Sequence, residues 1–338
     1  MIDLNTLWFV LVGAIFAGYA LLDGFDLGVG ALHLFASSDE ERRLMLNAIG
    51  PVWDGNEVWL VVGGGALFAA FPRVYATVFT DFYLAIMLIL FALVFRGLAI
   101  EFRSQQPMRW WRGLWDISFC AGSLTAAMLI GVALGNLIIG ISIDARGEYA
   151  ASLLDMLRPY PLLTGVTTVA LFAMHGAIYL ALRVEDPLLA QVSRWIPRTI
   201  AIFVVCYVAT SLATFRLVPA MGAHMLGRPL LAGVLLLTAL AILNVPREIY
   251  RGRTWPAFIS SCFAVIGLLS LVGIRMYPEL VNATEPARAL TIYNAASTTG
   301  TLRRMAYMAA LAAPLAILYT LNLYRTFSGK VRLDTTSY

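Results

Sequence analysis

Long apolar runs, each closed by a short cluster of polar and basic residues, set the pattern of this chain. A membrane-spanning helix needs about 20 predominantly apolar residues. Nine runs are candidates, at roughly 7–36, 55–72, 78–100, 114–141, 160–183, 198–219, 229–246, 255–276 and 300–326. The second is short. Its Gly63-Gly64-Gly65 weakens helix propensity but permits close backbone approach. The longest polar connection lies between 276 and 300 and holds Pro278, Asn282, Thr284 and Pro286. The expected fold is all-α and polytopic, with about nine transmembrane helices in one integral membrane domain over residues 1–338.

Composition agrees. The chain is 60% hydrophobic and 13% charged, against about 45–50% and about 25% in soluble domains. Mean hydropathy is +0.79. Lys330 is the only lysine, and the basic residues lie mostly in short loops, so the net charge of +4 reflects topology rather than nucleic-acid binding. With nine spans, the loops on the C-terminal side carry fourteen basic residues, from Arg42 to Arg332, against nine at most on the other. The positive-inside rule then puts the N-terminus outside and the C-terminus in the cytoplasm. The first apolar run has no basic stretch before it and contains Asp23 and Asp26, which suits a retained helix rather than a cleaved signal. Cys120, Cys206 and Cys262 sit in separate apolar segments. No CxxC is present, which excludes c-type haem attachment and a zinc ribbon and leaves the cysteines to packing.

The chemistry gathers in Ile49–Leu60, at the start of the second run, which places Trp53, Asp54, Asn56, Glu57 and Trp59 within seven residues. Acids at a membrane boundary are costly unless they pair, protonate or line water. Asp23 and Asp26, three residues apart, share a face of the first helix. Two like charges that close in a low dielectric do not both ionise readily, which suits proton exchange; bonding to neighbouring helices is the plainer alternative. Asp54 and Glu57 repeat the spacing, and Asp54 after Pro51 also suits a helix cap. Trp53 and Trp59 suit interface anchors, and Asn56 can bond either acid or a carbonyl. Asp81 and Asp116 are expected to cap the third and fourth helices. Arg96, near the end of the third, can snorkel outward, pair an acid or bind an anionic lipid. Gly24 with Gly28, and Gly131 with Gly135 beside Asn136, suit helix contacts. His33, His175 and His224 lack a partner histidine at i+3 or i+4. His175, inside the fifth run, suits a hydrogen-bonding packing role. No metal site is expected.

These residues carry a family resemblance. Leu22–Gly30, Asn47–Leu60 and Gly63–Ala76, followed by Phe95-Arg96, Glu101–Ser104, Trp110–Asp116 and Gly131–Asn136, resemble subunit II of cytochrome bd-type quinol oxidases over roughly residues 1–140. The resemblance implies a nine-helix bundle in a bacterial cytoplasmic membrane. It implies pairing with a similarly folded subunit I that holds two b-type haems, haem d and the quinol-oxidising loop. The complex oxidises ubiquinol or menaquinol, reduces oxygen to water with cytoplasmic protons, and builds a proton-motive force without pumping. Subunit II is expected to bear no haem or other cofactor of its own. Its implied roles are assembly, a cytoplasmic proton route and, in some members, an oxygen path or a bound structural quinone. Quinol, oxygen, membrane lipid and small accessory subunits complete the set of partners considered; nucleic acid is not among them. By the same resemblance, Asp54 matches an acid implicated in proton transfer beside Trp53. Asp23 and Asp26 match the acidic motif of the first helix. Trp59 matches a tryptophan near a proposed oxygen path, and Glu57 is a Gln in some relatives. The expected site is therefore Asp54, Asp23, Asp26 and Glu57 for protons, supported by Trp53, Trp59 and Asn56. A proton- or cation-coupled secondary transporter using the same acids is the competing reading, and a purely structural scaffold the third.

Overall fold

A computed structural model describes residues 3–140, 156–217, 229–282 and 289–333. The described chain is almost wholly helical: α1 Leu4–Leu32, α2 Asp39–Ile49, α3 Trp53–Ala70, α4 Pro72–Asp81, α5 Tyr83–Phe102, α6 Arg109–Ile139, α7 Pro159–Arg183, α8 Leu188–Leu217, α9 Pro229–Tyr250, α10 Thr254–Met276 and α11 Thr299–Thr326. One short antiparallel pair, β1 Glu279–Val281 with β2 Leu290–Thr291, closes the long polar connection. Thr284, Pro286 and His224 lie outside the described residues.

Eight of these helices are long and apolar enough to cross a membrane: α1, α5, α6, α7, α8, α9, α10 and α11. The ninth expected span, α3, has 18 residues, but its first turns carry Asp54, Asn56 and Glu57. At 1.5 Å per residue it is about 27 Å long. It runs antiparallel to α1 over nearly its whole length. Asn56 meets the Leu22 carbonyl, Trp59 lies on Gly18, and Gly63 lies on Phe16. Leu67 and Ala70 share a buried cluster with Trp8 and Val12 at the far end. The α3 helix thus lies along α1 from Leu22 to Trp8, despite its polar start.

The helices differ from the sequence reading in several places: the run placed at 198–219 begins at Leu188 and the one at 114–141 begins at Arg109. The run placed at 78–100 begins at Tyr83, because the chain first forms the amphipathic α4, with Pro72 at its first turn, and bends at Phe82. Asp81 therefore ends a helix rather than capping the next one. Between the first two runs lies α2, which the apolar count passed over. A reciprocal capping box between Ser38 and Glu41 starts it, and Met45, Leu46, Ala48 and Ile49 bury its inner face. At the other end of the bundle, Asp3 caps α1. The amide and hydroxyl of Thr6 both donate to it and hold the Asp3 carboxyl below the usual range.

The α1 helix is the hub, packed against α3, α6, α7 and α10. Glycines make this possible. A Cβ on Gly176 would lie 2.6 Å from the Gly28 carbonyl carbon, and one on Gly24 would lie 2.8 Å from the Phe172 ring. The second glycine pair does the same for α6 on α7, where a Cβ on Gly131 would come within 2.7 Å of the Gly165 Cα. Backbones in such contact gain dispersion energy that side chains would block. By contrast, among the described residues α11 touches the bundle near its ends. The Trp8 indole donates to the Leu302 carbonyl at 3.0 Å, and Ser297 bonds the carbonyls of Ala69 and Ala70. Residues 310–319 of α11 are exposed throughout.

Candidate proton-transfer site

Residues 23–30 of α1 are all buried, so both acids of the first helix lie in the interior. Asp26 and Asp23 precede His33 by seven and ten residues, which sets them about 10 and 15 Å from that end of the helix. Arg96 of α5 meets them there, itself fully buried. Its Nη2 lies 2.6 Å from Asp23 Oδ1 and 3.8 Å from Asp26 Oδ2, and its Nη1 lies 3.5 Å from Glu57 Oε2. Small residues give Arg96 this place. A Cβ on Gly122 of α6 would lie 3.3 Å from the Arg96 Cβ, and one on Gly97 would lie 3.2 Å from the Trp53 indole. Snorkelling is thereby overturned: Arg96 points inward, since three carboxyls compensate a charge that bare hydrocarbon would not.

Asn56 completes the cluster. It is 1% exposed; its Nδ2 donates to Asp26 Oδ2 at 2.8 Å and to the Leu22 carbonyl at 3.3 Å. The Tyr324 hydroxyl of α11 donates to Asn56 Oδ1 at 2.7 Å. Tyr19, one turn before Asp23 and also buried, lies within its electrostatic reach. The three polar residues of α3 differ in exposure: Asn56 is buried, the Glu57 side chain is 23% exposed, and Asp54 is exposed at the surface within electrostatic reach of Glu57.

Of the expected residues, the structure brings Asp23, Asp26, Glu57 and Asn56 onto one guanidinium and leaves Asp54 outside it. Asp54 is not the cap of α3. The capping position is Val52, without a side-chain bond, and Asp54 sits in the first turn, where the helix dipole favours its charge. Trp53 packs on Gly97 and Trp59 on Gly18, so both indoles serve helix contacts. For Arg96, pairing with an acid was among the roles its sequence position allowed. Tyr324 carries no comparable signal.

A second charged cluster lies nearer the same end. Asp116, two turns inside α6, accepts from Arg103 at 2.5 and 3.2 Å, from Arg42 at 2.9 Å, and pairs with His33 at 2.6 Å. Asp39 bridges Arg103 and Arg112, each at 2.8 Å. Asp116 is therefore no helix cap, because α6 starts at Arg109 and turns Asp116 into the bundle. This cluster joins the ends of α1, α2, α5 and α6. It has more arginines than acids, the reverse of the Arg96 cluster.

The sequence profile described as cytochrome bd terminal oxidase subunit II matches residues 4–327. The chain belongs to that family. Cytochrome bd-I ubiquinol oxidase subunit 2 of Escherichia coli K12 is 34% identical, over 98% of this chain and 97% of that protein. Cytochrome bd ubiquinol oxidase subunit 2 of Bacillus subtilis 168 is 32% identical, over 98% of each. In fold, the chain matches the bd oxidase of Geobacillus thermodenitrificans with a TM-score of 0.79 at 17% identity, covering 96% of this chain and 98% of that one. Membership makes it a multi-pass membrane subunit of a respiratory quinol oxidase, in complex with a subunit I, and overturns the transporter reading. Of the described histidines, His175 has no ring nitrogen free for a haem iron. His175 spends both ring nitrogens, on Ser261 at 2.7 Å and the Leu21 carbonyl at 3.1 Å, and lies stacked on Phe258. His33 holds Asp116 through Nε2. His175 thus has the packing role its sequence context suggested.

Proposed function

We propose that this chain is the haem-free, non-catalytic partner of a haem-bearing subunit I in a bacterial cytoplasmic membrane. It supports assembly and conducts protons from the cytoplasm toward the site where oxygen becomes water. The observation that carries this reading is the grouping of buried Asp23 and Asp26 with half-buried Glu57 around the single guanidinium of Arg96. Three carboxylates on one cation leave two charges uncompensated in a low dielectric, where each costs several kcal/mol. Binding and releasing protons relieves that cost, which is what a relay requires.

The route begins at exposed Asp54, passes to half-buried Glu57 and enters the Asp26–Asp23 pair. Arg96 joins the three carboxyls and Asn56 bonds Asp26, so that water between them would complete the relay. The orientation follows from the same end of the bundle. Arg42, Arg103 and Arg112 gather beside the C-terminal end of α1, and the C-terminal tail lies against the end of α7. The positive-inside rule puts this arginine-rich end in the cytoplasm, with the N-terminus outside. Cytoplasmic protons then meet Asp54 first.

The test is a series in the assembled oxidase. Asp54→Asn lowers turnover by about tenfold or more while haem content stays at the wild-type level. Asp23→Asn and Asp26→Asn lower it less, because each still bonds its neighbours and the other two carboxyls remain on Arg96. Loss of haem in Asp54→Asn assigns that residue a structural role instead, and equal losses at all three positions reverse the ranking.

A further inference from the structure

We propose that Tyr324 is a positioning residue for the proton route, acting on Asp26 through Asn56; this rests on the reading of the acid cluster given above. Tyr324 comes from the C-terminal helix, whose middle is detached from the bundle. What brings it in is the end of the chain. Lys330 donates to the carbonyls of Ala181 and Val184 at 3.1 and 2.7 Å, capping the last turn of α7. The Val331 amide donates to the Arg183 carbonyl at 2.8 Å, and Arg183 donates to the Gly329 carbonyl at 2.6 Å. Gly329 at φ +113° makes the reversal. This strap seats Leu323 against Gly55 and sets the Tyr324 ring edge-on to Phe25, beside Asp26.

The chemistry fixes the direction of the chain. The Asn56 amide offers donors on one edge and an acceptor on the other. Its edge toward α1 meets the Leu22 carbonyl, which only accepts, so the NH2 group must face α1. The carbonyl edge must then accept from Tyr324. The hydroxyl holds the amide so that an N–H points at Asp26 Oδ2, and a donor to a carboxylate favours its ionised form. Without the hydroxyl, the buried Oδ1 of Asn56 has no donor, and the amide is held from its α1 edge alone. Its N–H bond to Asp26 is then less well aligned, and the ionised carboxyl loses part of its support.

The experiment measures the pH dependence of quinol oxidase turnover in the assembled complex, with haem content as the control. Tyr324→Phe, which removes one oxygen atom, moves the profile to higher pH with haem content unchanged. The same change in an Asn56→Leu background produces no further shift, because the intermediary is gone. A Tyr324→Phe profile identical to wild type, with Asp26→Asn altering it, overturns the positioning role and leaves the route intact. Asp26→Asn with an unaltered rate and profile overturns the route and the positioning role with it. If Tyr324→Phe loses haem, genetically encoded 3-fluorotyrosine at position 324 decides. It keeps ring and hydroxyl and donates more strongly, so the profile moves to lower pH; no movement overturns the inference.

Discussion

At the scale of single residues, the account turns on Arg96. A guanidinium that is fully buried and paired with carboxyls costs desolvation, and the pairing repays it only while the partners remain. Arg96→Leu leaves Asp23, Asp26 and Glu57 without a counter-charge, so the assembled, haem-bearing complex is expected to be lost, at a cost of about 3–5 kcal/mol. Arg96→Lys keeps the charge without the fork and recovers part of the yield. Haem content per unit of membrane protein measures both; full assembly of the leucine variant contradicts the central place of Arg96. The sequence showed that Asp23, Asp26 and Glu57 are unusual, because charge stands out against hydrocarbon. It did not show which of them meet. Asp116 was misplaced for the same reason: a carboxyl near a helix start suits a cap until three basic partners from elsewhere in the chain arrive.

At the scale of elements, hydrophobic run length gave the spans and missed the short helices between them. The amphipathic α2 and α4 carry mixed faces, and a count of apolar residues passes over them. The glycine pairs were legible, because a small residue every fourth position permits only close approach. They also rank by position. A Cβ on Gly28 would collide with the Phe172 carbonyl, whereas one on Gly64 would meet nothing within 4 Å. Gly28→Ala is therefore expected to lower the thermal midpoint of the purified complex sharply or to prevent assembly, since backbone cannot step aside as a side chain can. Gly64→Ala is expected to be neutral or slightly stabilising, as helix propensity alone decides it. A scan of haem-band loss against temperature separates them, and equal midpoints for the two variants would sink the packing argument.

At the scale of the molecule, one end of the bundle carries both charged clusters, the C-terminal strap and the exposed Asp54. The acid-rich cluster lies inside and the arginine-rich one nearer the end, so the proposed route would run from a basic rim to buried carboxyls. Orientation was read from loop charge alone, and that reading depends on nine crossings. The span that made the count uncertain, α3, is also the one whose polar start carries the chemistry. The most direct measurement is proton uptake during a single oxygen pulse, in liposomes holding the fully reduced complex with its arginine-rich face outward. Wild type is expected to take up protons from that side with the kinetics of oxygen reduction. Asp54→Asn is expected to slow uptake by about tenfold or more while its haems stay fully loaded. Unchanged uptake in Asp54→Asn, or uptake from the opposite face, would contradict the account.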